Sequence, residues 1–367
     1  MLHHIRRRSI ALCIASVAVL GACGSSTTST SATSTSNTSN TPATAAVTTV
    51  GAAATSTAST ITVGATGTAT TTVTTTAKTG ASTTADTAAS AGSFPVTIKS
   101  GTDTLTITAK PEAIISLSPT TTESLFAIGA GDEVIAVDDQ SNYPPAALAK
   151  STKLSGFTPN VEAIAGYKPD LVIVSNDTAD GIVAALGKVG IAVLVQPSAN
   201  TLDDTYAEID ELGQATGHVS EATALVQTMK TKIDTIVKGA PKAATPVTYF
   251  HEVDNTLFSA TSKTFIGSIY SLFGMQNVAD SADTKNTGYP QMSQESLIAA
   301  NPQIIFLADS QYGESAATVS ARPGWNVIAA VKNHEIVETP ADIASRWGPR
   351  IVDYVQVVAD ALTKLAA

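Results

Sequence analysis

Cysteine is nearly absent: the 367 residues hold two, Cys13 and Cys23, both ahead of residue 24. Whatever folds after them can form no disulfide, so it must be held by its core alone. Basic residues are short as well, 21 Lys and Arg against 31 Asp and Glu, for a net charge of −10. That balance speaks against a nucleic-acid partner, whose phosphates demand a basic surface. After the first two dozen residues no stretch is long and apolar enough to span a bilayer as a helix. Catalytic signatures are missing too. There is no GxSxG nucleophile elbow, no phosphate-cradling GxxxxGK loop and no cysteine left to act as a nucleophile, so no catalytic residue is assigned.

What is present begins with an export signal. Arg6, Arg7 and Arg8 precede an apolar run from Ile10 to Leu20, which ends in Leu20-Gly21-Ala22-Cys23. The run is about half the roughly 20 residues of a spanning helix. This pattern predicts a lipoprotein signal over residues 1–22, with Cys23 acylated as a membrane anchor on the outer side of the cytoplasmic membrane. From Gly24 to Gly92 the chain is almost wholly Ser, Thr, Ala and Gly, with Lys78 and Asp86 its only charges. Such a stretch cannot bury enough apolar surface to offset its ordering entropy, so residues 23–92 read as a tether. About 70 residues of flexible chain give an end-to-end distance near 45 to 50 Å.

Order is expected from Phe94. Residues 94–108 alternate apolar and polar around a Gly-containing turn, as a hairpin does. Short, mostly apolar runs without polar alternation follow at Ala113–Leu117, Leu171–Val174 and Ala192–Val195, and strands are readable again at Val247–Phe250, Ile304–Leu307 and Glu335–Glu338. Strands covered on both faces look like this, and helical segments between them imply parallel sheets. Between the two sets, Leu202 to Val237 has helical periodicity broken near Gly213 and Gly217. The chain therefore reads as α/β: a first lobe (93–217), a connecting helix (218–240) and a second lobe (241–367).

An internal repeat joins the halves. Val161-Glu162-Ala-Ile-Ala-Gly-Tyr-Lys-Pro169-Asp-Leu-Val-Ile173 aligns without a gap to Gln294-Glu295-Ser-Leu-Ile-Ala-Ala-Asn-Pro302-Gln-Ile-Ile-Phe306. Each copy is a short helix, a proline and a buried strand, and an aromatic precedes each glutamate, Phe157 in one copy and Tyr289 in the other. Two facing lobes would place these glutamates on one surface and the aromatics near one cleft.

Several segments together resemble the family of periplasmic binding proteins for cobalamin, haem and ferric siderophores: Ile114-Ile-Ser-Leu-Ser-Pro-Thr-Thr-Thr-Glu123, Gln140-Ser-Asn-Tyr-Pro-Pro145, Tyr167-Lys-Pro-Asp-Leu-Val-Ile173, Phe265-Ile-Gly267 and Arg346-Trp-Gly-Pro-Arg-Ile-Val352. The likeness runs from about Ala113 to the C-terminus. It implies two Rossmann-like lobes joined by a single long backbone helix, the class III architecture, and capture of a small-molecule chelate without chemistry. Cobalamin is the first candidate ligand, with ferric siderophore and haem next. The resemblance places Phe157, Tyr289, Asp342, Arg346 and Gln140 at the ligand, and makes Glu162 and Glu295 the docking residues for an ABC permease driven by its ATPase. It further implies a monomer.

Simpler roles stay open for several of these. A carboxylate in the first turn of a helix also complements the macrodipole. Phe157 is alternatively a core residue, and Arg346 a surface ion pair. A direct zinc or manganese binder would need converging histidines and carboxylates. With His3 and His4 in the signal, only His218, His251 and His334 remain, so no metal ligand is assigned. An adhesin on a Ser/Thr stalk would explain the tether but not the repeat.

Overall fold

The computed structural model describes residues 92–177 and 181–367. The export signal, Cys23 and the tether up to residue 91 lie outside the described residues.

The chain opens with the expected antiparallel hairpin, β1 (Val96–Ser100) and β2 (Asp103–Ile107), in register from Val96 opposite Ile107 to Ser100 opposite Asp103. Its turn sits on the first sheet, with Gly101 N donating to Val195 O at 2.8 Å. Gly101 has φ +59°, and a Cβ there would meet Val195 Cγ1 at 3.3 Å, so a side chain would be both strained and crowded.

The first sheet comprises β3 (Ile114–Leu117), β4 (Val134–Val137), β5 (Leu171–Val174) and β6 (Ala192–Val195), parallel throughout in the order β4-β3-β5-β6. Every residue of β3 and β5 is buried, β5 as its unbroken apolar run demands and β3 with Ser116 Oγ donating to the Ser118 carbonyl at 3.2 Å. Between the strands lie α1 (Pro119–Ala127), α2 (Pro145–Leu148), α3 (Val161–Gly166) and α4 (Ile182–Gly187). Helix α1 starts where local chemistry says it should. Ser118 Oγ accepts from Thr121 N at 3.4 Å, and Pro119 occupies the first turn, where its missing N–H costs nothing.

Two long helices follow, α5 (Leu202–Thr216) and α6 (Val219–Gly239). Gly217, at φ +77°, ends α5 as expected, but Gly213 does not break it. Gly213 is a crossing point: a Cβ there would lie 2.5 Å from Ala222 Cβ on α6 and 3.0 Å from His218 O. The sequence pattern cannot tell a glycine that stops a helix from one that lets a second helix approach. The 21 residues of α6 span about 31 Å at 1.5 Å per residue. Ala222, Val226, Met229 and Ile233 form its buried stripe. This stripe belongs to one continuous core that includes Ile114 and Leu171 of the first sheet and Tyr249 and Phe306 of the second.

The second sheet repeats the first: β7 (Thr248–Glu252), β8 (Gln276–Asn277), β9 (Ile304–Leu307) and β10 (Ile336–Glu338), all parallel in the order β10-β9-β7-β8. Its helices are α7 (Phe265–Ser271), α8 (Gln294–Ala300), α9 (Ala316–Ser320), α10 (Ala329–Lys332), α11 (Ala341–Ser345) and α12 (Ile351–Ala366). Strand β7 runs two residues beyond its apolar stretch, because His251 and Glu252 are buried with partners of their own. His251 Nδ1 lies 2.8 Å from Tyr270 Oη, and Glu252 is bridged by Arg322.

The sequence repeat survives in backbone detail. Helices α3 and α8 are capped by Asn160 and Ser293, and the residue before each proline, Lys168 and Asn301, adopts positive φ, 54° and 48°.

Candidate functional site: the cleft at the strand ends

In parallel sheets the loops after the strands' carboxyl ends gather at one edge, where side chains can meet a ligand. Here those edges of the two lobes touch. The segment after β10 reaches α1 and the loop after β4: Arg346 Nη1 donates to Glu123 Oε1 and Asn142 Oδ1, each at 2.8 Å. Arg346 Nη2 donates to Asp342 Oδ1 at 2.9 Å and to the Gln140 carbonyl at 3.3 Å. Asn142 Nδ2 completes the ring by donating to Asp342 Oδ2 at 2.8 Å.

Thus three of the five expected ligand residues, Gln140, Asp342 and Arg346, come together, and Arg346 is no surface pair. Its side chain is 11% exposed, and it bonds Glu123, Asn142, Asp342 and the Gln140 carbonyl. The Gln140 side chain is exposed and touches Asp139.

Phe157 is 80% exposed, which removes the core role left open for it. Its loop is pressed onto the end of β3. A Cβ at Gly156 would lie 2.3 Å from Leu117 O, so only glycine lets the chain pass so close. Ser155 Oγ then accepts from the amides of Phe157 and Thr158, both at 3.2 Å, and fixes the turn that presents the ring.

Tyr289 is carried on the matching loop of the second lobe, packed half-buried against the core, and burial pushes its hydroxyl's pKa up. Asp283 shapes that loop by accepting from the amides of Thr287 at 2.8 Å and Gly288 at 3.0 Å. Glu162 and Glu295 are exposed in the first turns of α3 and α8. Asn160 Oδ1 and Ser293 Oγ cap those turns, so the carboxylates themselves are not consumed in capping.

Other charged groups at this edge went unassigned. Glu252 is fully buried and held by both terminal nitrogens of Arg322, at 2.6 and 2.7 Å, while Arg322 also reaches Glu314 at 2.8 Å. Two residues past β9, Asp309 is buried with neither carboxylate oxygen hydrogen-bonded. Burial first, and then the charge of Glu252, push its pKa up to about 7. Nothing in the sequence marks it, because its surroundings come from β7 and from Arg322. Glu123 and Arg350 also went unassigned, although both stand in the segments that carry the family resemblance. Tyr312, 81% exposed just after β9, is a further aromatic without a sequence signal.

Two of the histidines, His218 and His251, serve the fold. His218 Nε2 lies 2.9 Å from Glu133 Oε1, and His251 is buried and driven down to about 4 by desolvation, so it stays neutral. Among the described residues no three His, Cys, Asp or Glu side chains converge as metal ligands would.

The periplasmic binding protein family matches residues 114–343, more than half of the chain. The chain belongs to that family. A substrate-binding lipoprotein of an ABC transporter from Bacillus subtilis, YvrC, is 32% identical over 282 residues, covering 73% of this chain and 86% of that protein. A cobalamin-binding protein of Halobacterium salinarum is 30% identical over 283 residues, 75% of this chain and 76% of that one. The crystal structure of the periplasmic vitamin B12 binding protein of Vibrio cholerae superposes with a TM-score of 0.58 at 27% identity, covering 70% of this chain and 98% of that one. This periplasmic binding protein has the class III arrangement, with two parallel-sheet lobes, the long helix α6 between them and contact between the loops that follow the strands' carboxyl ends.

Proposed function

We propose that this protein is a lipid-anchored, extracytoplasmic binding protein that captures a chelate in the cleft and hands it to an ABC permease. Phe157 and Tyr289 form aromatic walls suited to the broad apolar face of a corrinoid, porphyrin or siderophore. Gln140, with the Asp342–Arg346 pair, supplies polar contacts at the ligand's edge. Cobalamin is the first choice, because relatives matched over most of this chain are cobalamin- and vitamin B12-binding proteins. Ferric siderophore and haem are the alternatives.

Glu162 and Glu295 dock a single copy of the protein onto basic side chains of the permease, whose ATPase drives release. The binding protein itself carries out no reaction. The duplicated helix is the observation that carries the docking role: two exposed glutamates stand at equivalent positions of two structurally equivalent helices.

An uptake assay tests the reading. In cells lacking this protein, supplying it should restore accumulation of labelled cobalamin. The double variant Glu162→Lys, Glu295→Lys should fail to restore it while binding the ligand as tightly as the parent. A loss of ligand affinity in that variant would refute the docking assignment.

A further inference from the structure

Glu123 is an unusual residue to find inside α1. It is the one charged residue of that helix, set among the buried hydroxyl side chains of Thr120, Thr121, Thr122 and Ser124, and its side chain is 1% exposed. The second lobe supplies all its side-chain partners. Arg350 grips it with Nε donating to Oε2 at 2.8 Å and Nη2 donating to Oε1 at 2.5 Å, and Arg346 Nη1 adds a third bond at 2.8 Å. The face of Tyr143, from the first lobe, covers the Arg350 guanidinium at 4.2 Å. Between the two arginines the chain lies directly on α1, since a Cβ at Gly348 would meet Thr120 O at 3.4 Å and Ser124 Oγ at 3.7 Å.

The charges balance. Two carboxylates, Glu123 and Asp342, face two guanidiniums, Arg346 and Arg350. A neutral cluster of this kind, built on the buried Glu123, adds little net stability compared with an apolar contact, because desolvation consumes most of the attraction. What it does supply is geometry. The planar fork of Arg350 meets both oxygens of one carboxylate in a single orientation, and any other angle between the lobes would leave a buried charge unpaired.

We infer that Glu123 and Arg350 are positioning residues of the binding cleft: they fix the angle between the lobes and hold Arg346 in place, without touching the ligand. The inference rests on the proposed binding function for its ligand arm only. Arg346 shares the carboxylate, so loss of Arg350 also loosens the side chain at the cleft edge.

The test measures the distance between the lobes directly. Spin labels are placed on Lys188→Cys and Lys332→Cys, both exposed and one in each lobe, in the full chain with Cys13→Ser and Cys23→Ser. Electron–electron dipolar spectroscopy without ligand should give a narrow distance distribution for this parent and a broadened one for Glu123→Gln. Arg350→Lys, which keeps the charge and loses the fork, should broaden it similarly, and combining the two should add little. The same variants should weaken cyanocobalamin binding about tenfold or more. If Glu123→Gln fails to fold, Arg350→Lys decides. A parent-like distribution in a folded variant overturns the inference. A broadened distribution in a parent that binds no cyanocobalamin leaves the positioning role intact and refutes only the ligand.

Discussion

Asp309 makes the protein's stability depend on pH in a direction opposite to most carboxylates. An ordinary Asp titrates at 3.8, whereas burial and the neighbouring Glu252 charge hold Asp309 near 7. Glu314 adds to the repulsion, and Arg322 offsets only part of it because both glutamates already occupy its guanidinium. The folded chain thus keeps a proton that the unfolded chain has released. The stability is present in full below pH 4 and is lost as pH rises toward 7. At about 1.4 kcal/mol per pH decade, the swing between 3.8 and 7 reaches about 4 kcal/mol, an upper bound because water entering the site would relax it. Denaturant unfolding from pH 5 to 8 reads this out. Asp309→Asn, which cannot ionise, should be the more stable protein at pH 8, and the gap between the two curves should narrow steadily as pH falls to 5. Glu208, raised to about 8 mainly by burial, slopes the same way in both proteins, so the difference isolates Asp309. Parallel curves for parent and variant would refute the reasoning.

Three further outcomes follow from the geometry. Gly213→Leu should destabilise by about 1–3 kcal/mol in thermal unfolding, because its Cβ would need to sit 2.5 Å from that of Ala222. Phe157→Ala should weaken ligand binding measured by calorimetry and leave the melting temperature unchanged, since the ring is 80% exposed. Ser118→Ala should cost about 1 kcal/mol of unfolding free energy by removing the cap of α1.

The fold was legible in the sequence because its determinants are local. Unbroken apolar strands such as Ile304–Leu307 need cover on both faces, and the repeat of helix, proline and strand announces a second lobe built like the first. Where the reading slipped, the deciding contact was remote. His251 and Glu252 extend β7 only because Tyr270 and Arg322 await them, and Gly213 continues its helix because α6 crosses there. The site divides in the same way. Phe157 and Tyr289 stood out from their place ahead of the repeat. The partnership of Glu123 with Arg350 joins residues 227 positions apart, and no pattern within either segment reveals it.

The central claim is that this cleft holds a chelate, and calorimetric titration of cyanocobalamin into the full chain tests it most directly. The expected result is one-to-one binding with a Kd of about 1 µM or tighter, close to −8 kcal/mol or better. Absence of heat with cyanocobalamin would move the assignment to ferric siderophores or haem. Absence of heat with all three would contradict the account.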